Sequence, residues 1–196
     1  NPQITWQQLD TTNQRAGTEI NTIPIWICAA PIWVLPEYFD LLSISGARRI
    51  VVISSTSRFT KGTSSDHSER KIAQQLIKGE ELVQTWAATH GVKWIILRPT
   101  LIYGYGHDKN VAEIARFIHR FGFFPLLGSA KGLRQPVHVE DVASACYAAL
   151  DTLNLTNRSY NLTGAETLPY REMIKRVFEA LNHPPRMLTI PLWLFQ

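Results

Sequence analysis

Short apolar runs alternate with longer stretches of helical spacing along this chain. Residues 49–53 (RIVVI) form the clearest strand pattern, because they are mostly β-branched and are followed by four hydroxyl side chains. Residues 23–30 form a continuous apolar run that predicts a strand buried on both faces, and residues 94–97 and 160–162 predict two more strands. Strands that alternate with helices imply βαβ units. We therefore predict an α/β fold with a parallel, doubly wound sheet.

Apolar residues at helical spacing predict the helices, at residues 35–45, 68–90, 111–121, 142–150 and 170–181. The longest helix stops before Gly91, a residue suited to a left-handed C-cap. Asp141 is suited to N-cap the fourth helix. The Gly- and Pro-rich residues 122–136 predict a loop.

Composition excludes several classes of protein. Of the 196 residues, 45% are hydrophobic and 18% are charged, which excludes an intrinsically disordered chain. The net charge of +4 comes from dispersed Lys and Arg, which argues against nucleic-acid binding. No apolar run in the sequence is long enough to cross a bilayer. Cys28 and Cys146 lie in apolar runs, so we predict reduced core thiols in a cytoplasmic protein.

Three of the predicted strands end in segments that suggest a site: residues 28–31 with small side chains, residues 54–57 with hydroxyls, and residues 98–104 (RPTLIYG). Taken singly, each segment is typical of a turn. In doubly wound sheets, however, ligands bind beyond the carboxyl ends of the strands. A small residue lets a cofactor approach the backbone, and a hydroxyl can hydrogen-bond a substrate oxygen. The three segments together therefore predict a ligand site at this edge of the sheet.

The chain resembles the extended short-chain dehydrogenase/reductases, in particular the NAD-dependent epimerase/dehydratase family that acts on nucleotide sugars. The resemblance covers residues 23–181. It rests on the segments RRIVVISSTS, LRPTLIYG, RQPVHVEDVASA and YNLTG, together with Lys78 followed by Glu81. The resemblance implies an NAD(P)-dependent oxidoreductase. Its small-molecule partner would be similar to a nucleotide sugar.

The resemblance implies catalytic roles for two residues. Thr56 stands at the Ser/Thr position whose hydroxyl binds the reacting sugar oxygen. Lys78 stands at the lysine of a Tyr-x-x-x-Lys pair, which binds the nicotinamide ribose and lowers the pKa of the tyrosine. Gln74 occupies the position of that tyrosine, and a carboxamide cannot serve as the general acid or base. We therefore predict impaired hydride-transfer chemistry.

Three nearby residues offer an alternative source of the proton: Asp66, His67 and Glu69. The competing interpretation is that they are loop and helix-start residues, because acidic side chains favour helix N-termini. A metal centre is not predicted, since His138 and Asp141 have no third ligand in register.

The remaining site residues are also implied by the resemblance. The residues expected beside NAD or NADP are Ala29, Ala30, Ser54, Ser55, Lys78 and Pro99. On the substrate side, Arg134 is expected to pair with a diphosphate, a task suited to a guanidinium. Leu101 occupies a position where many relatives have a substrate-binding Asn. Tyr103 is either a substrate-side residue or a packing residue.

A glycine-rich phosphate loop of the form G-x-G-x-x-G is absent from the sequence, and residues 4–10 resemble the third strand of the fold. We therefore predict a fragment. Residues 1–150 would form a truncated Rossmann-like domain that lacks two strand–helix units and carries a substrate-loop insertion around residues 104–136. Residues 151–196 would begin a smaller C-terminal substrate-binding region. Such a chain is expected to bind NAD or NADP poorly.

Two functions stay open at this point. The first is an atypical NAD(P)-dependent nucleotide-sugar epimerase, dehydratase or reductase, and the second is a non-catalytic dinucleotide-sensing or scaffolding protein with the same fold. A homodimer is expected in either case. Helix 68–90 resembles the helix that many relatives pack against its copy, and its apolar residues Leu76, Leu82, Val83 and Trp86 would form the interface.

Overall fold

The computed structural model describes residue 4 and residues 22–191. The strands are β1 Ile25–Cys28, β2 Arg49–Ile53, β3 Lys93–Pro99, β4 Leu101–Tyr103, β5 Phe124–Leu127, β6 Leu133–Arg134, β7 Pro136–His138, β8 Arg158–Leu162, β9 Leu168–Pro169 and β10 Met187–Ile190. The α-helices are α1 Phe39–Ile44, α2 Ser57–Thr60, α3 His67–His90, α4 Val111–Phe121, α5 Val139–Asp151 and α6 Tyr170–Ala180. Short 3-10 turns occur at Leu35–Tyr38 and Leu153–Leu155.

A parallel sheet in the order β1-β2-β3-β8 lies at the centre of the described chain. This confirms the predicted α/β fold with a Rossmann-like parallel sheet. Strand β2 is interior, and Ile50, Val51 and Val52 are almost completely buried. Strand β8 pairs with β3 although it follows residue 150. The domain division at residue 150 stays a prediction.

Helices cover both faces of this sheet. On one face, α1 and α3 pack against Ile50, Val52 and Ile96. On the other face, α5 packs against Val51 and Ile95. Since β2 and β3 are parallel, α3 must run back across the sheet between them. Its N-terminal half therefore lies towards the carboxyl ends of the strands.

A second apolar core joins the segment around α4 and β5 to helix α6. Ile118, Leu126, Ile174 and Phe178 are fully buried in it. Three small sheets surround this core and its link to the central sheet: β5 with β10 in parallel, β4 with β7 in parallel, and β6 with β9 antiparallel. The predicted insertion and the C-terminal region thus pack together.

Three local predictions are wrong. Residues 122–136 contain β5 and β6, because β10 and β9 supply pairing partners that are distant in sequence. Helix α5 begins at Val139 rather than after Asp141, since the Nδ1 atom of His138 accepts the Glu140 N–H at 3.4 Å and acts as N-cap. Strand β1 is not buried on both faces. Ile25 and Ile27 remain 48% and 45% exposed at the edge of the sheet within the described residues.

The apolar residues of α3 do not form a free face for a homodimer. Leu76, Val83 and Trp86 are 4%, 0% and 7% exposed and belong to the core beneath α3. Leu82 alone of the four is exposed. The side chains on which the homodimer prediction depended are therefore used inside the chain.

Two further predictions concern the ends and the environment of the chain. The predicted strand at residues 4–10 lies outside the described residues, except for residue 4. Within the described residues, no helix combines the length and the apolar character needed to span a membrane.

Candidate functional site

The carboxyl ends of β2 and β3 lie side by side. The Ser54 N–H donates to the Leu97 carbonyl at 2.7 Å, and the Thr56 N–H donates to the Pro99 carbonyl at 3.1 Å. The Thr56 hydroxyl lies 3.4 Å from the same Pro99 oxygen. Two of the residues implied by the resemblance, Thr56 and Pro99, are thus brought together at the expected edge of the sheet.

A buried carboxylate lies directly behind these strand ends. The sequence analysis did not predict it as a site residue. Glu80 of α3 is 1% exposed and accepts the Ser54 hydroxyl at 2.6 Å. Its oxygens also accept the Arg98 Nε–H at 3.0 and 3.2 Å and form ion pairs with Arg58 and Arg98. The Ser54 hydroxyl, predicted to face a cofactor, is therefore engaged by the protein itself.

Charge pairing explains why a carboxylate is tolerated at this depth. An isolated buried charge is very costly, whereas two guanidinium groups and a hydroxyl supply it with hydrogen bonds. Both arginines also stack on Phe59, with guanidinium carbons 5.1 and 5.3 Å from the ring centroid. The sequence signal was present: Glu80 follows Leu76 by four residues, on the helix face that packs against the sheet.

Gln74 and Lys78 do not lie on this face of α3. Both are exposed, whereas Glu80 is buried. Lys78 is two residues from Glu80, which is about 200° around an α-helix. The positions one and two turns before Glu80 on its own face are Leu76 and Ile72, which are both apolar. The structure therefore brings Thr56 and Pro99 together but does not bring Lys78 to them.

The side chains considered as alternative proton donors lie at the start of α3, where hydrogen bonds hold Asp66 and Glu69. Asp66 is the N-cap, and its carboxylate accepts the Ser68 N–H at 2.7 Å. Hydrogen bonds from the Ser68 side chain and backbone lower the pKa of Asp66, and those from Ser64 and Lys61 lower the pKa of Glu69. A lowered pKa keeps both groups ionised near neutral pH, where they cannot donate a proton. This favours their interpretation as helix-start residues.

The residues expected around NAD or NADP fit that cofactor only in part. Ala29 and Ala30 are exposed after β1, so their small side chains leave the backbone accessible. Ser55 is occupied locally, because its hydroxyl oxygen accepts the Ser57 N–H at 3.1 Å. Ser54 is bound to Glu80, and Lys78 lies on the outer face of α3. Of the expected residues, Ala29 and Ala30 are thus exposed, whereas Ser54 and Ser55 are already hydrogen-bonded within the protein and Lys78 lies away from the strand ends.

The substrate-side residues divide between two neighbouring cavities. Leu101 and Arg134 line a groove of about 430 Å³, which we call the Arg134 groove; its other lining residues are Lys109, Asn110, Glu113, Ile114, Phe117, Phe124, Tyr170 and Met173. Tyr103 lines a smaller cavity of about 250 Å³. Tyr103 also packs edge-on against His138. Leu101 and Arg134 therefore line the same groove, and Tyr103 lines the other cavity.

Metal-ligating side chains do not cluster in the part of the chain that the structure describes. Within it, no group of three or more His, Cys, Asp or Glu residues is placed to hold an ion.

The sequence of this chain matches a known protein family and several known proteins. Residues 38–163, more than half of the chain, match the model of the NAD dependent epimerase/dehydratase family. A UDP-glucose 4-epimerase of Vibrio cholerae is 22% identical over an alignment of 161 residues, and the alignment covers 78% of this chain and 49% of that protein. Subunit 9 of the NADH dehydrogenase [ubiquinone] 1 alpha subcomplex, mitochondrial, from Arabidopsis thaliana is 31% identical over 97 residues, 49% of this chain and 24% of that protein. The chain thus spans at most about half the length of these two relatives.

Solved structures show the same fold. The UDP-glucose 4-epimerase of Thermotoga maritima, in complex with UDP-glucose, matches with a TM-score of 0.68 at 16% identity, over 86% of this chain and 64% of that one. The UDP-glucose 4-epimerase of Thermus thermophilus, in complex with NAD, matches with a TM-score of 0.66 at 20% identity, over 86% and 65%. At these identities the likeness concerns the fold alone.

Proposed function

The chain belongs to the NAD dependent epimerase/dehydratase family, and we propose that it is a member that binds ligands without carrying out the usual hydride transfer. In this proposal the exposed Ala29–Ala30 turn lies beside NAD or NADP, and the Arg134 groove holds a molecule similar to a nucleotide sugar. Its role is then dinucleotide sensing or support of a larger assembly.

The observation that carries this proposal is the buried group of Glu80, Ser54, Arg58 and Arg98, which we call the Glu80 cluster. Hydride transfer to or from a sugar carbon must be accompanied by proton transfer at the attached oxygen. On the face of α3 that meets the strand ends, the positions before Glu80 are Leu76 and Ile72, which cannot titrate. Thr56 can hydrogen-bond an oxygen, but an ordinary alcohol is a poor proton acceptor at neutral pH.

A role within an assembly is supported by one relative in particular. The Arabidopsis thaliana protein with 31% identity over 97 residues is named as a subunit of an NADH dehydrogenase subcomplex. The alternative, an atypical epimerase or dehydratase, is supported by the Vibrio cholerae relative, which is named as a UDP-glucose 4-epimerase. Between these two, the Glu80 cluster favours the non-catalytic role.

Binding and turnover measured on the same sample test the proposal. Calorimetry with NADH and NADPH should detect binding of at least one of them, weaker than is usual for a dinucleotide. Nicotinamide absorbance with UDP- and dTDP-sugars should stay at background. Removal of general acid–base assistance alone lowers a rate by about 10²–10⁴, so the assay must resolve rates that far below an active epimerase, which serves as the positive control.

Two outcomes contradict the proposal. Turnover well above background would show that another group transfers the proton. Variants Asp66→Asn, His67→Gln and Glu69→Gln would then identify that group. Failure to bind either dinucleotide or any sugar nucleotide would contradict the ligand-binding role itself.

A further inference from the structure

The two-stranded sheet of β5 and β10 has one covered face and one open face. Side chains alternate between the two faces of a strand. Phe124, Leu126 and Met187 pack into the second apolar core, so they lie on the covered face. The alternate positions of both strands lie on the opposite side, which we call the outer face: Pro125, Leu127, Leu188 and Ile190.

Large apolar side chains remain uncovered on and beside the outer face. Leu127 and Leu188 are 57% and 56% exposed. Phe121, the last residue of α4, is 51% exposed, and its ring centroid lies 6.4 Å from that of Phe123, which immediately precedes β5. A single exposed leucine is ordinary, but several large apolar side chains on adjoining elements are typical of an interaction surface.

The two segments that build the outer face carry cations and no acidic residue. Residues 114–139 and 180–196 together contain five Lys or Arg and no Asp or Glu. The Arg120 guanidinium stacks over the Phe121 ring, 5.2 Å from its centroid, and Arg186 immediately precedes β10. Within residues 22–191, neither arginine has a carboxylate oxygen within 4.0 Å of its nitrogens. Both charges are therefore available to an anionic partner.

This combination of apolar and cationic side chains favours a lipid surface over a second copy of the chain. Two copies would bring two cationic surfaces without acidic residues together, and like charges repel. Leu, Phe and Trp side chains beside Arg are typical of protein surfaces that lie in the plane of a membrane interface. In the sequence, Pro191 is followed by Leu-Trp-Leu-Phe at residues 192–195, which are the same residue types.

We propose that the outer face binds the surface of an anionic lipid bilayer. Leu127 and Leu188 enter the boundary between head groups and acyl chains, and Arg120 and Arg186 bind lipid phosphates, which suit a guanidinium fork. The protein then lies on the membrane rather than across it. This inference goes beyond the proposed function and does not depend on it, because Leu127 and Leu188 line neither of the two cavities described above.

Sedimentation with lipid vesicles tests the inference on the whole chain. One set of vesicles is phosphatidylcholine alone, and the other is an equal mixture of phosphatidylcholine and phosphatidylglycerol. The wild type should sediment with the mixed vesicles and much less with phosphatidylcholine, because only the mixture is anionic. High salt should release much of the bound protein, since salt screens the attraction of exposed charges.

Substitutions on the outer face separate the apolar contribution from the charge. Leu127→Gln and Leu188→Gln should each weaken the affinity for mixed vesicles by about tenfold, because each removes a large apolar side chain that the lipid would bury. Arg120→Gln and Arg186→Gln should each weaken it by about fivefold and leave sedimentation with phosphatidylcholine unchanged.

The matched controls make the same changes at exposed residues elsewhere. Leu155 is 43% exposed in the turn after α5, and Arg48 is exposed before β2. Leu155→Gln and Arg48→Gln should bind the mixed vesicles as the wild type does. Circular dichroism checks that every variant is folded.

Three results overturn the inference. The first is a wild type that stays in solution with the mixed vesicles. The second is equal binding by the wild type and the two leucine variants, and the third is equal sedimentation with both kinds of vesicle. If the first result is accompanied by self-association that Leu127→Gln abolishes in light scattering, the outer face binds a second copy instead. Dinucleotide binding is measured separately, so its failure contradicts the proposed function and leaves this inference standing.

Discussion

The Ser54 hydroxyl donates a 2.6 Å hydrogen bond to the Glu80 carboxylate, and this contact ties the end of β2 to the middle of α3. It places a buried, fully paired anion where the strand ends of a doubly wound sheet ordinarily face a ligand. The same carboxylate binds Arg58 and Arg98. One side chain of α3 therefore organises α2, β2 and β3 together.

Glu80→Gln should destabilise the fold strongly. The amide keeps the volume of the side chain but leaves the largely buried Arg58 and Arg98 guanidinium groups without a counter-charge, a change that typically costs about 3 kcal/mol or more. Guanidinium chloride denaturation measures the loss. Glu81→Gln, an exposed change one residue away, is the matched control and should stay within about 0.5 kcal/mol of the wild type. Equal stability of the two variants would contradict the structural role of the cluster.

Gln74→Tyr should not create dehydrogenase activity. The new phenol would lie on the exposed face of α3, about 200° around the helix from Leu76, which packs against the sheet. Activity is measured as the change of nicotinamide absorbance with UDP-glucose, with wild type as the baseline. A clear gain of turnover in this variant would show that residue 74 faces the site after all.

Gly164→Ala should disrupt the junction between β8 and β7. A Cβ atom at residue 164 would overlap the Pro136 carbonyl oxygen, which is backbone and cannot move aside without a shift of the main chain. Overpacking of this severity costs about 3 kcal/mol or more, seen as a large fall in Tm. Gly62→Ala is the control, because nothing lies within 4 Å of its added Cβ, and its Tm should change little. Similar Tm values for the two variants would contradict the close approach.

The stability contributed by Asp108 should decline in acid. Partial burial raises the pKa of Asp108, but hydrogen bonds from the N–H groups of Ala112, Asn110 and Gly104 outweigh it, and the net pKa lies below the usual 3.8. A depressed pKa in the folded state means that the contribution is complete above the unfolded-state pKa. It is then lost as the pH falls through the folded-state pKa.

Two variants separate the hydrogen bonds of Asp108 from its charge. The Asp108 carboxylate accepts the N–H groups of Asn110 and Ala112 at 3.0 Å each, just before and within the first turn of α4. Asp108→Ala should cost about 1 kcal/mol at neutral pH, similar to the loss of a side chain that caps a helix N-terminus. Asp108→Asn retains a hydrogen-bond acceptor, so this variant should keep most of the free energy of unfolding of the wild type at neutral pH. Because the amide does not titrate, the variant should not lose this contribution in acid. Urea denaturation at neutral pH and at about pH 3 measures both. A wild type and an Asp108→Asn variant with the same pH dependence would contradict this account.

Cys28 should react slowly with thiol reagents in the folded protein. Burial raises its pKa to about 11 from the ordinary 9.0, so its thiolate fraction at pH 8 falls about a hundredfold. The measurement is the rate of reaction with a chromogenic disulfide in a Cys146→Ser variant, which leaves Cys28 as the reporter. The same variant in urea is the control and should react at the rate of an ordinary thiol. Equal rates in both states would contradict the burial of this thiol.

Periodicity determined most of the secondary structure of this protein. The β-branched run 49–53 became β2, and the apolar spacing of residues 111–121 became α4 with the same bounds. Both signals are local, because side chains alternate every two residues in a strand and recur every 3.6 residues in a helix. The order of strands and helices was enough to predict the parallel sheet.

Tertiary structure alone decided which side chains meet. The sequence motif predicted Lys78 as the site residue of α3, but the rotation of this helix places Glu80 against Ser54 instead. Arg58 and Arg98, which are far apart in sequence, complete the cluster. In the same way, β5 formed where a loop was predicted, because its partner β10 lies about sixty residues later. Sequence patterns record which faces of an element are apolar. The rotation and pairing of elements depend on non-local packing, and these determined the contacts at the candidate site.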